Sequence, residues 1–134
     1  MNEVKEIFAD NLVGSIATLK EDGSPWVTPV HLFADDKAVY WFSLESRQHS
    51  INVARDPRVS ATLFSLDMSH GPKAVYVSGV AEVLGVDDTT KAKSLIEAKM
   101  GKIPGPFQEM TAYRLPFGEL NRGKSTGNCW YFYT

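Results

Sequence analysis

Residues 38–43, AVYWFS, constrain the fold of this chain more than any other stretch. In a strand, Val39 and Trp41 share one face, while Ala38, Tyr40 and Phe42 share the other. Both faces are apolar, so both need cover. One face can fill the interior of a barrel; the other needs a helix or a second subunit. The expectation is a small antiparallel barrel that dimerises.

The flanking sequence supplies the other strands. An amphipathic helix is expected over residues 2–11, with Val4, Ile7 and Phe8 on its apolar side, Asn2 as cap and Gly14 as breaker. Residues 15–20 and 26–34 read as strands joined by the Glu21-Asp22-Gly23 turn, whose Asp-Gly pair suits a tight hairpin. Asp35-Asp36-Lys37 turns the chain into residues 38–43, which completes an antiparallel meander. A short helix is expected over 46–54, capped by Ser46 and ended at Asp56-Pro57. Strands follow at 58–64 and 74–84, separated by a loop at 65–73 that contains Gly71-Pro72. Residues 88–100 carry the clearest helical spacing, with Asp88 as cap and Ala92, Leu95, Ile96 and Lys99 in register. Residues 101–106 are irregular. Late strands are expected at 111–120, with Pro116 at an edge or bend, and at 128–134.

Composition excludes several classes. The 134 residues suit one domain, and 43% hydrophobic with 22% charged residues excludes a disordered chain. No stretch approaches the ~20 apolar residues of a membrane span, and no apolar signal core follows Met1. A single cysteine, Cys129, excludes an internal disulfide and a Cys-rich zinc site. The balance of 14 basic and 16 acidic residues gives no general pull toward nucleic acid or an anionic membrane. These features suit a cytoplasmic protein.

The chemistry concentrates where the third strand enters the short helix. Ser43 ends the strand, and Ser46, Arg47, Gln48 and His49 open the helix. Free N–H groups at a helix start carry the positive end of the dipole. A cation there is unfavourable for the helix itself, so Arg47 and His49 make more sense beside an anion. A solvated helix start with an ordinary serine cap fits the same residues. The second stretch is Val27, Thr28, Pro29, Val30 and His31. Pro29 lacks an N–H and interrupts the ladder, leaving neighbouring main-chain groups free for a planar heterocycle; an edge strand blunted against aggregation fits equally.

Together, residues 22–64 resemble the FMN-binding split-barrel family of pyridoxamine 5′-phosphate oxidase-like proteins. The matching pieces are Asp22-Gly23-Ser24-Pro25, the Val27-Thr28-Pro29-Val30 segment, and a strand ending in Ser43. An R-x-K-x-x-N-like helix start follows at Arg47-Gln48-His49-Ser50-Ile51-Asn52, and then Asp56-Pro57-Arg58-Val59. The resemblance implies a mainly β (α+β) fold: a six- or seven-stranded antiparallel split β-barrel with a few flanking helices. It also implies a homodimer with FMN at the subunit interface and a flavin-dependent oxidoreductase activity on an unspecified substrate. Carried over residue by residue, Ser43, Arg47 and His49 hold the FMN phosphate, Gln48 reaches the phosphate or ribityl chain, and the main chain of Val27, Thr28, Pro29, Val30 and His31 meets the isoalloxazine edge. Three departures stand out. His49 replaces the usual Lys, Thr28 stands where the true oxidase has Arg, and residues 128–134 are aromatic where that enzyme has an Arg-containing pattern. These argue against pyridoxamine phosphate oxidation itself.

Relatives of this barrel take haem or the deazaflavin F420, and haem would need His31, His49 or His70 as axial ligand. A non-catalytic flavin-binding, stress-related module is a further alternative. Trp130, Tyr131, Phe132 and Tyr133 either fill a core or interface or cover a flavin bound to the partner; Cys129 reads as a small buried residue and His70 as exposed. The three histidines lack metal-ligand spacing.

Overall fold

A computed structural model describes residues 13–64, 74–102, 109–120 and 129–133. The helix expected at 2–11, the loop at 65–73 and His70 lie outside the described residues. The strands are β1 (Val13–Leu19), β2 (Pro25–His31), β3 (Phe33–Ala34), β4 (Ala38–Ser43), β5 (Arg58–Phe64), β6 (Ala74–Val80), β7 (Glu82–Val83), β8 (Thr111–Pro116), β9 (Glu119–Leu120) and β10 (Cys129–Tyr133). The helices are α1 (Gln48–Arg55), between β4 and β5, and α2 (Val86–Met100), between β7 and β8.

The strands form two sheets, one ordered β2-β1-β5-β6-β10-β9 and the other β3-β4-β8-β7. Every pairing is antiparallel except β10 with β9. The fold is therefore the mainly β split barrel, with more and shorter strands than the six or seven expected. The expected strand at 26–34 breaks at the buried Leu32, so β2 pairs with β1 while β3 crosses to β4 in the other sheet. The expected three-strand meander is thus divided between sheets. The run at 74–84 breaks in the same way at Ala81, whose N–H is taken by Pro57 O at 2.8 Å. The run at 111–120 breaks after Pro116, and Phe117 N–H turns to Lys37 O at 2.9 Å.

The two faces of β4 find the two kinds of cover the sequence demands. Val39 and Trp41 enter a core between the sheets with Ile16, Leu63, Val77 and Leu115. Trp41 stacks on Tyr113 with ring centroids 5.6 Å apart. Ala38, Tyr40 and Phe42 face the other way, against Ala92 and Ile96 of α2. Burying one large apolar side chain is worth roughly 1.5–3 kcal/mol, so a solvent-exposed outer face on β4 would cost several such terms.

Both helices begin differently from expectation. The Leu44 carbonyl accepts Arg47 N–H at 3.1 Å, which closes a tight turn after β4 and moves the cap of α1 from Ser46 to Arg47. Arg47 makes no side-chain capping bond. α2 starts at Val86, two residues before Asp88, with Gly85 as cap; Asp87 and Asp88 then sit in its first turn, where the dipole favours them. Gly101 ends α2 at φ +81°, a conformation suited to glycine. Gly14 lies within β1, and a close approach explains it: a Cβ there would meet the Thr62 carbonyl oxygen and lie 2.6 Å from Leu32 Cδ1.

Candidate functional site

The corner between β4 and α1 gathers the predicted polar residues in two layers. Ser43, the last residue of β4, and His49, in the first turn of α1, are both more than nine-tenths buried. Ser43 Oγ and His49 Nε2 are 2.5 Å apart. Burial, and then the charge of Arg47, hold His49 below its usual value of 6.5. The pair thus favours the neutral imidazole over the charged form. Arg47 and Gln48 form the outer, exposed layer.

Behind them Ser50 Oγ is buried beside the Tyr113 phenol, whose pKa burial chiefly pushes up and the Ser50 hydroxyl draws back down. The first bond inside α1 runs from Ile51 N–H to Arg47 O, at 3.0 Å. The N–H groups of Gln48, His49 and Ser50 precede it and have no acceptor within the helix. Three main-chain donors and one exposed guanidinium thus belong to the same helix start, a donor set that fits a phosphoryl group.

The inner face of α1 fixes this corner to the barrel. Gln48 Nε2 donates to Asn52 Oδ1 at 2.7 Å, and Asn52 Nδ2 donates to Thr18 Oγ1 at 2.9 Å. Asn52 is fully buried and Thr18 almost so. Arg55 donates to the Leu19 carbonyl. From the other side, Thr111 Oγ1 donates to Glu45 Oε1 at 3.1 Å and ties the β4–α1 turn to β8.

The second predicted stretch is an edge strand. Among the described residues β2 pairs with β1 only, with Pro29 opposite Ser15 and Val27 opposite Ala17. Pro29 and His31 are exposed, and Val27 keeps 69% of its surface; Thr28 and Val30 are half-buried. α1 packs on β1 and β2, so the edge and the corner occupy adjoining elements. Thus Ser43 and His49 are in direct contact, Arg47 and Gln48 form the rim above them, and Val27, Thr28, Pro29, Val30 and His31 lie on the neighbouring strand. Sequence reasoning missed Ser50, Asn52, Thr18 and Tyr113 as parts of this corner. Asn52 had a local signal, four residues after Gln48 on one helix face. Tyr113 arrives from a distant strand and had none.

The fold is a split barrel with an anion-suited corner at the strand-to-helix junction. The family model described as pyridoxamine 5′-phosphate oxidase matches residues 1–117, and the chain belongs to this family. Among solved structures, a haem-binding protein from Mycobacterium smegmatis is 25% identical, with TM-score 0.69, over 84% of this chain and 48% of that protein. This chain thus spans about half the length of that relative. HutZ, the haem storage protein from Vibrio cholerae, shares the fold at 18% identity and TM-score 0.72, over 86% of this chain and 87% of that one. An FAD-binding protein from Mesorhizobium loti shares it at 22% identity and TM-score 0.64, over 84% and 86%. No curated protein matches the chain. Among the described residues, no helix is long and apolar enough to cross a membrane.

Proposed function

We propose that this chain is a cytoplasmic FMN-binding flavoprotein, an oxidoreductase that works as a homodimer with FMN at the subunit interface. The supporting observation is the start of α1, where the N–H groups of Gln48, His49 and Ser50 precede the first helical bond and the exposed Arg47 is the cap. In this reading Arg47, Gln48 and the α1 main chain hold the phosphate. Ser43 and His49 form its neutral floor. The main chain of Val27, Thr28, Pro29, Val30 and His31 borders the ring, and the bound flavin supplies hydride and electron transfer. The dimer interface falls to the outer face of the six-stranded sheet. That face carries hollows of about 410 and 220 Å3, lined among others by Ala17, Ser60 and Ser78.

The test is an absorption spectrum of the purified protein followed by titration with FMN. Flavin bands and saturable uptake are expected. A colourless preparation that takes up no FMN would sink the proposal. Arg47→Ala removes one charge-assisted contact and is expected to weaken FMN binding by roughly tenfold or more.

Haem is the second reading, favoured by the haem-binding relative at 25% identity. It needs an axial ligand. His49 is buried against Ser43, so that role falls to His31 or His70. A Soret band that appears on haem titration and vanishes in His31→Ala or His70→Ala would replace the flavin assignment.

A further inference from the structure

The seat of α1 on the barrel is mostly polar. Its buried residues are His49, Ser50, Asn52 and Val53, and of these Val53 alone is apolar. Apolar burial is non-directional, so a single valine sets the position of a helix only loosely. The directional contact is the bond from Asn52 Nδ2 to Thr18 Oγ1, at 2.9 Å. Asn52 is fully buried and Thr18 is 2% exposed. An apolar pair of the same shape would be about as stable at such a place. What the bonded pair adds is a fixed distance and direction between α1 and β1, as satisfied buried polar groups do.

Thr18 is also a fixed point for the neighbouring strand. It lies opposite Trp26 of β2, and the segment from Val27 to His31 begins at the next residue. On the helix side, Asn52 Oδ1 accepts Gln48 Nε2 at 2.7 Å, and Gln48 is the first residue of α1. Two bonds in series thus join the helix start to the strand pair that leads into β2. Arg55 adds a second tie at the next residue of β1, the Leu19 carbonyl.

Resting on the FMN reading above, we propose that Asn52 and Thr18 are positioning residues that make this chain select a flavin with a terminal phosphate over the same flavin without one. Their bond sets the spacing between the start of α1, which holds the phosphate, and β2, which borders the ring. Both residues are buried and act through those two elements. Riboflavin needs only the ring end of the site. FMN needs both ends at once, so a small shift of α1 against β1 costs the phosphate contacts and spares the ring contacts.

The test compares FMN with riboflavin by fluorescence titration of the whole chain. The wild-type chain is expected to prefer FMN. Thr18→Val with Asn52→Leu replaces the bonded pair by an apolar pair of similar size, and the exposed Gln48 turns to water. This double variant is expected to melt close to the parent, to keep riboflavin affinity within about twofold, and to lose about tenfold in FMN affinity, the equivalent of one charge-assisted contact. Thr18→Ser keeps the hydroxyl and is expected to keep the FMN preference. The positioning role is overturned if the double variant retains the wild-type ratio of FMN to riboflavin affinity, if both affinities fall together, or if Thr18→Ser loses the preference as fully as Thr18→Val. A wild-type chain that binds neither flavin, or binds both alike, overturns the FMN reading and this inference with it. Should the double variant fail to fold, the same ratio in Thr18→Val against Thr18→Ser decides.

Discussion

His49 carries the sharpest single-residue consequence. Its folded pKa lies below the unfolded value of 6.5, first because it is buried and then because Arg47 is near. The unfolded chain therefore takes up a proton before the folded chain does as pH falls. The folded state is fully favoured above about pH 6.5, and that contribution is lost as pH drops through the lowered folded value. Denaturant midpoints are expected to fall between pH 7.5 and pH 5.5, and His49→Gln is expected to flatten that slope. An identical slope in the variant would place the titration elsewhere. Ser50→Ala removes a buried hydroxyl that lies beside the Tyr113 phenol, and a loss of about 0.5–1.5 kcal/mol is expected in denaturant melts. Sequence singled out Ser43, Arg47 and His49 through their clustering at a helix start. It did not reveal that Ser43 and His49 bond to each other, because that depends on how far the turn from Leu44 to Arg47 folds back.

At the scale of elements, the turns and core faces were legible and the strand breaks were not. Gly23, in the predicted hairpin, has φ +84° and donates to Lys20 O at 2.9 Å, as an Asp-Gly turn requires. The alternation along β4 sorts its side chains as read. Leu32 and Ala81 gave no warning, since an apolar residue that changes sheets looks locally like one that continues a strand. α1 is held to β1 through Asn52, and Asn52→Ala removes a fully buried group that bridges Gln48 and Thr18. A loss of about 1–3 kcal/mol is expected by equilibrium unfolding. Gly14→Ala drives a Cβ against the backbone of β5 and the side chains of Leu32 and Leu63. A cost of about 1–3 kcal/mol or more is expected in the same assay. A variant as stable as the parent would mean that β1 and β5 can part at little cost.

For the whole molecule, the uneven cover of the two sheets is the organising fact. The four-stranded sheet has α2 on its outer side, while Ser60 lies exposed on the outer face of the six-stranded sheet, lining both of its hollows. If a second copy covers that face, Ser60→Arg is expected to convert a dimer into a monomer in light scattering and to lower FMN affinity with it. A wild-type chain that is already monomeric would remove the interface from the proposal. The amino-acid sequence by itself determined that both faces of β4 must be covered, that two short helices interrupt the strands, and that a cation-bearing helix start follows Ser43. These follow from side-chain period, turn chemistry and capping, all of which act over a few residues. Only the tertiary structure decided where strands change sheets, that burial disfavours a charged His49 beside Ser43, and that Ser50 is buried beside Tyr113. Each of those depends on how the two sheets and α1 pack together, which sets separation and solvent exposure.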